Sequence, residues 1–194
     1  MAITELGFYK LMSGFMQLDR LAYQWVHTVH APWLINIMLV ITYMGFSLTY
    51  IILAAAVSCY LLYRRQVWEA VFLNISLFSA WGLMGLLKNW FERSRPTGEV
   101  LTAAGGYSFP SGHAMLSMAF YGFLASLLLS RSSSKWAPLG AISLYILVFL
   151  IGFSRIYLNV HYLSDVLAGF IFGFICLILS LKGMEAVRRR LGGE

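Results

Sequence analysis

Charge is scarce in this chain. Of its 194 residues only 11% are Asp, Glu, Lys or Arg, less than half the roughly 25% of a soluble globular domain. The polar shell that keeps a folded chain in water is therefore missing. Acidic side chains are the scarcer kind, 8 against 14 Lys and Arg, leaving a net charge of +6. That basic excess does not point to nucleic acid, because no run combines basic residues with aromatics outside an apolar stretch. Cysteine is limited to Cys59 and Cys176, both inside apolar segments and without Cys-x-x-Cys or Cys/His spacing, which argues against a disulfide framework or a zinc site and for two small buried hydrophobes. Internal repeats and low-complexity tracts are absent, and with them fibrous and disordered classes. The first 20 residues lack the basic, apolar, small-residue order of a cleavable signal, so targeting is expected to rest on membrane spans.

What fills the chain is apolar: 60% hydrophobic residues and a mean hydropathy of +0.75. Such a composition fits an all-α, polytopic transmembrane helix bundle of five to six spans. The runs are separable. Leu6 to Leu18 places apolar residues at three- and four-residue steps among Glu5, Lys10, Gln17 and Asp19, the pattern of an amphipathic helix at the interface. Leu21 to Tyr43, with His27, His30 and Pro32, either lies flat, re-enters, or joins the next apolar run as one long tilted helix. We therefore expect an N-terminal interfacial region over residues 1–45 and a transmembrane core over 46–194.

Within that core, spans are expected over Phe46–Tyr63, Val67–Leu87, His113–Ser130, Ala137–Phe153 and from Asp165 to Leu181. Arg64, Arg65, Arg131, Lys135, Lys182 and Arg188 to Arg190 all fall at the same side of these alternating spans. Cytoplasmic loops are the ones enriched in Lys and Arg, which orients the C-terminus to the cytoplasm. The loops Lys88–Pro110 and Ser154–Asp165 then open on the extracytoplasmic face of a cell membrane. Trp33, Trp68, Trp81, Trp90 and Trp136 suit span ends or helix contacts, and Gly82, Gly85, Gly169 and Gly173 suit close helix packing.

Those two loops hold the unusual residues: Lys88 and Arg95, Pro110-Ser111-Gly112-His113, and Ser154-Arg155 followed by His161 and Asp165. Ionisable groups at the edge of hydrocarbon are costly and mark function. Lys88, Arg95 and Arg155 repel one another unless a multiply charged anion lies between them, and phosphate matches a guanidinium fork. Ser111 and Gly112 begin a helix whose free amides face the same compartment. His161 and Asp165, four residues apart, can share one helical face, with the carboxylate fixing one ring nitrogen and freeing the other. His113 is a second proton-transfer group. Glu92 and Arg93 are read as interfacial, as are His27 and His30.

Lys88 with Arg95-Pro96, then Pro110 to His113, then Ser154-Arg155 with His161 and Asp165, resembles the three signature motifs of the type 2 phosphatidic acid phosphatase family, with no position departing. The resemblance runs from Phe46 to about Leu181. It implies a metal- and cofactor-independent membrane hydrolase that attacks a lipid phosphate or pyrophosphate, such as undecaprenyl pyrophosphate, phosphatidylglycerophosphate or phosphatidic acid. His161 would form a phosphohistidine, oriented by Asp165. His113 would protonate the leaving group and later activate water, while Lys88, Arg95, Ser111, Gly112 and Arg155 hold the phosphate. Partners would be the lipid substrate and membrane lipids. Two other readings use the same pocket: a phosphotransferase that passes the group to a second lipid, and a carrier that binds lipid phosphates without cleaving them.

Overall fold

The computed structural model describes residues 15–26, 28, 29, 31–98 and 100–191, and the regular secondary structure among them is all helical. Most of the expected N-terminal interfacial helix, with His27, His30 and Glu99, lies outside the described residues. The described part of the first helix, α1, covers residues 15–26. It is followed by α2 (Pro32–Tyr43), α3 (Ser47–Tyr63), α4 (Val67–Phe91), α5 (Gly112–Arg131), α6 (Ala137–Tyr157) and α7 (Leu163–Leu191). Among the described residues, α4, α5, α6 and α7 are each long and apolar enough to cross a membrane, and α2 with α3 forms a fifth candidate bent by 48°. At 1.5 Å per residue the 25 residues of α4 reach about 37 Å, more than the roughly 30 Å hydrocarbon core.

The bend has a local cause. The sequence leads to a span starting near Phe46, but the apolar run is broken at Met44 to Phe46. There a side chain on Gly45 would lie 2.6 Å from the His113 ring and 2.7 Å from Ile151. The backbone approaches α5 too closely for anything but glycine, and Tyr121 pins it by donating a hydrogen bond to Met44 O at 2.9 Å. α2 and α3 therefore leave this point in different directions.

α5 is the inner helix, with 12 of its 20 residues buried, and it packs along α4, α6 and α7. Gly169 and Gly173 of α7 are packed against it: an added Cβ would meet Ser111 O at 2.6 Å and the Met118 Cβ at 2.9 Å, respectively. That small-residue face is used inside the chain. Gly82 and Gly85 do not serve packing, since an added Cβ at either meets nothing within 4 Å. Cys176 is buried as expected, while Cys59 lies on the outer surface of α3, and both are free thiols.

Two polar clusters fasten the bundle at opposite ends. At one, Glu69 at the start of α4 is 3% exposed and pairs with Arg131 at the end of α5 (3.0 Å) and with Arg188 near the end of α7. At the other, the Ser111 N–H before α5 donates to Asp165 O in α7 at 3.0 Å. The exposed rings of Trp33 and Trp90 sit at the second end, those of Trp68 and Trp136 at the first, as amphipathic aromatics do at the two interfaces of a bilayer.

Candidate active site

The second end holds a cavity of about 220 Å³ lined by Lys88, Arg95, Gly112, His113, Arg155 and His161, with Phe46, Met84 and Leu116 forming an apolar wall. Motifs separated by up to 73 positions thus converge because α4, α5, α6 and α7 all begin or end on this level. Lys88 comes from the last turn of α4, His113 from the first turn of α5 and Arg155 from the last turn of α6. His161 sits in the short turn before α7, and Asp165 lies in that helix's first turn.

The cations are held without being neutralised. Arg95 donates to Gly106 O at 3.0 Å, Gly105 O at 2.7 Å and Val160 O at 2.7 Å. Lys88 donates to Tyr107 O, and Arg155 donates from Nη1 to Thr42 Oγ1 at 2.6 Å. Carbonyl and hydroxyl oxygens fix geometry but leave formal charge in place. Among the described residues no carboxylate pairs with any of the three. Three further polar atoms here, Ser111 Oγ, His113 Nε2 and Arg155 Nε, are buried and make no hydrogen bond among the described residues. Buried polar groups are usually satisfied. A tetrahedral oxyanion, rich in lone pairs and charge, is the chemical group that suits this set.

The His161 tautomer is set by its neighbours. Arg95 Nη1 lies 3.3 Å from Nε2, and a guanidinium has donors only, so Nε2 presents its lone pair and Nδ1 carries the proton. That proton faces Asp165 Oδ2 at 3.5 Å and Ser108 Oγ at 3.4 Å. Ser108 in turn donates to Asp165 Oδ2 at 2.5 Å, and the Tyr162 N–H donates to the same oxygen at 3.0 Å. Burial pushes the His161 imidazole down to about 4; its bond to Asp165 opposes the shift and the Arg95 charge adds to it. The ring is thus neutral at physiological pH. Burial likewise lowers Arg95, while Asp165 counteracts the fall.

All eight residues singled out in the sequence surround this end of the bundle. Six of them line the cavity, Ser111 is buried next to Gly112 at the start of α5, and Asp165 stands behind His161. Four other residues were missed. Ser108 and Thr42 look like ordinary loop and helix positions in the sequence. Arg93, read as interfacial, is drawn inward: its side chain is 25% exposed and pairs with Asp165 at 2.6 Å and Asp19 at 2.7 Å. Asp19, placed by its spacing on the polar side of an amphipathic helix, is buried at 5% exposure while Met16, Leu18, Leu21 and Trp25 of the same helix face outward. In a membrane the apolar side of such a helix belongs to lipid and its polar side to the protein.

A membrane-spanning helical bundle with histidine, carboxylate and three cations gathered at one interface defines a class of membrane phosphatase. Residues 69–189 match the PAP2 superfamily, and the chain belongs to it: this is a membrane lipid phosphatase. Phosphatidylglycerophosphatase B of Bacillus subtilis (strain 168) is 31% identical over 164 residues, 84% of this chain and 80% of that protein. Human dolichyldiphosphatase 1 is 30% identical over 128 residues, 61% of this chain and 53% of that one. Among solved structures, a transmembrane PAP2-type phosphatidylglycerolphosphate phosphatase from Bacillus subtilis superposes with a TM-score of 0.82 at 28% identity, covering 93% of this chain and 97% of that one. LpxE of Aquifex aeolicus superposes with a TM-score of 0.68 at 25% identity, covering 82% and 92%.

Proposed function

We propose that this phosphatase cleaves a lipid phosphate or pyrophosphate through a phosphohistidine on His161. The observation that carries this is a cavity with no carboxylate among its described lining residues: three cations and three buried polar atoms without a described partner surround a histidine whose Nε2 lone pair faces them. Lys88, Arg95 and Arg155 hold the phosphoryl oxygens and neutralise charge that builds up on them. Ser111 Oγ and the Gly112 amide add donors from the start of α5. His161 Nε2 attacks phosphorus as the bond to the leaving oxygen breaks, and His113 passes its proton to that oxygen. His113 then takes a proton from water, which attacks phosphorus, breaks the N–P bond and releases phosphate. Asp165 accepts the Nδ1 proton's hydrogen bond and stabilises the positive ring that attack creates.

The wall of Phe46, Met84 and Leu116 suits the first carbons of a lipid tail, so the headgroup enters from the interface while the tail stays among helices. Candidate substrates are phosphatidylglycerophosphate, as the Bacillus relative's name states, and polyprenyl diphosphates such as undecaprenyl pyrophosphate, in line with the human relative's; phosphatidic acid completes the set. The active site faces the extracytoplasmic side and the C-terminus the cytoplasm, as the Lys and Arg distribution supports.

The test is a panel of lipid monophosphates and diphosphates offered to purified protein, wild type beside His161→Gln. Phosphate release from at least one lipid, abolished in the variant and little changed by EDTA, is expected. Near-normal turnover by the variant would remove the phosphohistidine route.

A further inference from the structure

Behind Asp165, on the side away from the cavity, lies a polar network that the signature motifs do not include. Arg93 bridges two carboxylates. Its Nη1 donates to Asp165 Oδ1 at 2.6 Å and to Ser164 Oγ at 2.7 Å, and its Nη2 donates to Asp19 Oδ2 at 2.7 Å. Asp19 also accepts from the Ser164 N–H at 2.8 Å and from Ser164 Oγ at 2.7 Å. The guanidinium lies 4.2 Å above the Tyr162 ring. Two carboxylates at 0% and 5% exposure thus share one cation, while among the described residues the three cations of the cavity have none.

The geometry divides Asp165 between two tasks. Its Oδ2 accepts from Ser108 and Tyr162 and faces His161, while its Oδ1 is taken by Arg93. With both oxygens held, the carboxylate cannot rotate away from the ring. Arg93 also withdraws negative charge from Asp165, which would otherwise act undiluted on the imidazole. How strongly Arg93 does so depends on Asp19, its second partner, carried by the N-terminal helix. We propose that Arg93 and Asp19 are positioning residues for His161, and that their charge balance across Asp165 sets the ring's readiness to take a proton. The inference rests on His161 being the nucleophile.

The other charged or titratable groups facing His161 are Arg95 from the loop, Lys88 from α4, His113 from α5 and Arg155 from α6. All of these lie on the cavity side, so changes at residues 19 and 93 leave them in place.

The signs of the expected effects are opposite for the two residues. Removing the cation in Arg93→Gln makes the network one unit more negative, favours the imidazolium, and moves the acidic limb of the kcat/KM profile to higher pH. Removing a carboxylate in the nearly isosteric Asp19→Asn makes it one unit more positive and moves that limb to lower pH. The double variant restores the sum and returns the limb to the wild-type position. Each single shift is expected at roughly 0.5–1 pH unit, below the 1–3 units of a directly facing charge because Asp165 intervenes. Arg93→Lys keeps the charge and loses the fork, so the limb should stay while kcat falls.

The experiment is a pH profile of each variant on one lipid substrate, with detergent melting to confirm folding. Opposite shifts that cancel in the double variant support the proposal. An unmoved limb with evenly lowered rates, or shifts of the same sign, overturns it. If Arg93→Gln does not fold, Asp19→Asn against Arg93→Lys decides by the same reading. Should His161→Gln retain turnover, the underlying mechanism fails instead, which is a separate outcome.

Discussion

In the proposed mechanism His161 is the nucleophile, and its surroundings keep it neutral and aimed. Its ordinary value of 6.5 falls to about 4, chiefly through burial, so the free enzyme should keep kcat/KM nearly flat from neutrality down to about pH 5 and lose it around pH 4. Stability changes with a definite sign. The unfolded chain binds the proton below 6.5 and the folded chain only below about 4, so this histidine's contribution is complete above pH 6.5 and is lost as pH falls from 6.5 through 4. Melting temperatures of wild type and His161→Gln, compared from about pH 7.5 to 4, should show the steeper decline in wild type; parallel curves would contradict the burial account. The motif residues were legible because charge at the edge of an apolar run is costly and therefore conspicuous. Arg93 shared that feature but lacked a visible partner, since Asp19 lies 74 positions earlier and its inward turn depends on which side of α1 meets lipid. Thr42 and Ser108 carry no charge, so nothing in their local sequence distinguishes them from structural hydroxyls.

At the scale of helices, the site depends on how closely α7 approaches α5. An added methyl at Gly169 would stand 2.6 Å from Ser111 O, a backbone atom, and 3.2 Å from Met115 N. Gly169→Ala must therefore push the start of α5 away from α7, carrying Ser111 and His113 with it. Phosphate release should drop at least about tenfold, in line with the sensitivity of catalysis to displacements near 1 Å, whereas Gly82→Ala, which meets open space, should be silent. Equal activity of the two variants would show that α5 is not held by this contact. The spans themselves were readable from apolar length, and all five begin within a few residues of the starts of α3 to α7. The α2 to α3 bend was not, because its cause is a contact between Gly45 and residues 68 and 106 positions further along, which periodicity does not record.

For the molecule as a whole, sidedness is the property that matters. The Lys and Arg distribution predicts that the loop carrying Val100 is outside and the Arg188 to Arg190 tail inside. With Cys59 and Cys176 replaced, a membrane-impermeant maleimide should label Val100→Cys in intact cells and Arg189→Cys only after lysis; both side chains are exposed. The reverse pattern would turn the enzyme over in the bilayer. Composition alone identified a membrane bundle, and the gathering of both polar loops at one end was implied by the alternation of spans. The fastening at Glu69 was not foreseen, since its partners Arg131 and Arg188 lie 62 and 119 positions further along.

The Glu69 fastening limits what the molecule can do mechanically. α4, α5 and α7 are tied to one another by Glu69 at one rim, while Ser111, Arg93 and Asp165 join the same three segments at the other. Rocking between outward- and inward-open shapes needs at least one rim to part, and parting the Glu69 rim would strand a nearly buried carboxylate. On that reading a bundle clamped in this way should act as a stationary workbench, cleaving lipid presented at its cavity rim without carrying it across the bilayer.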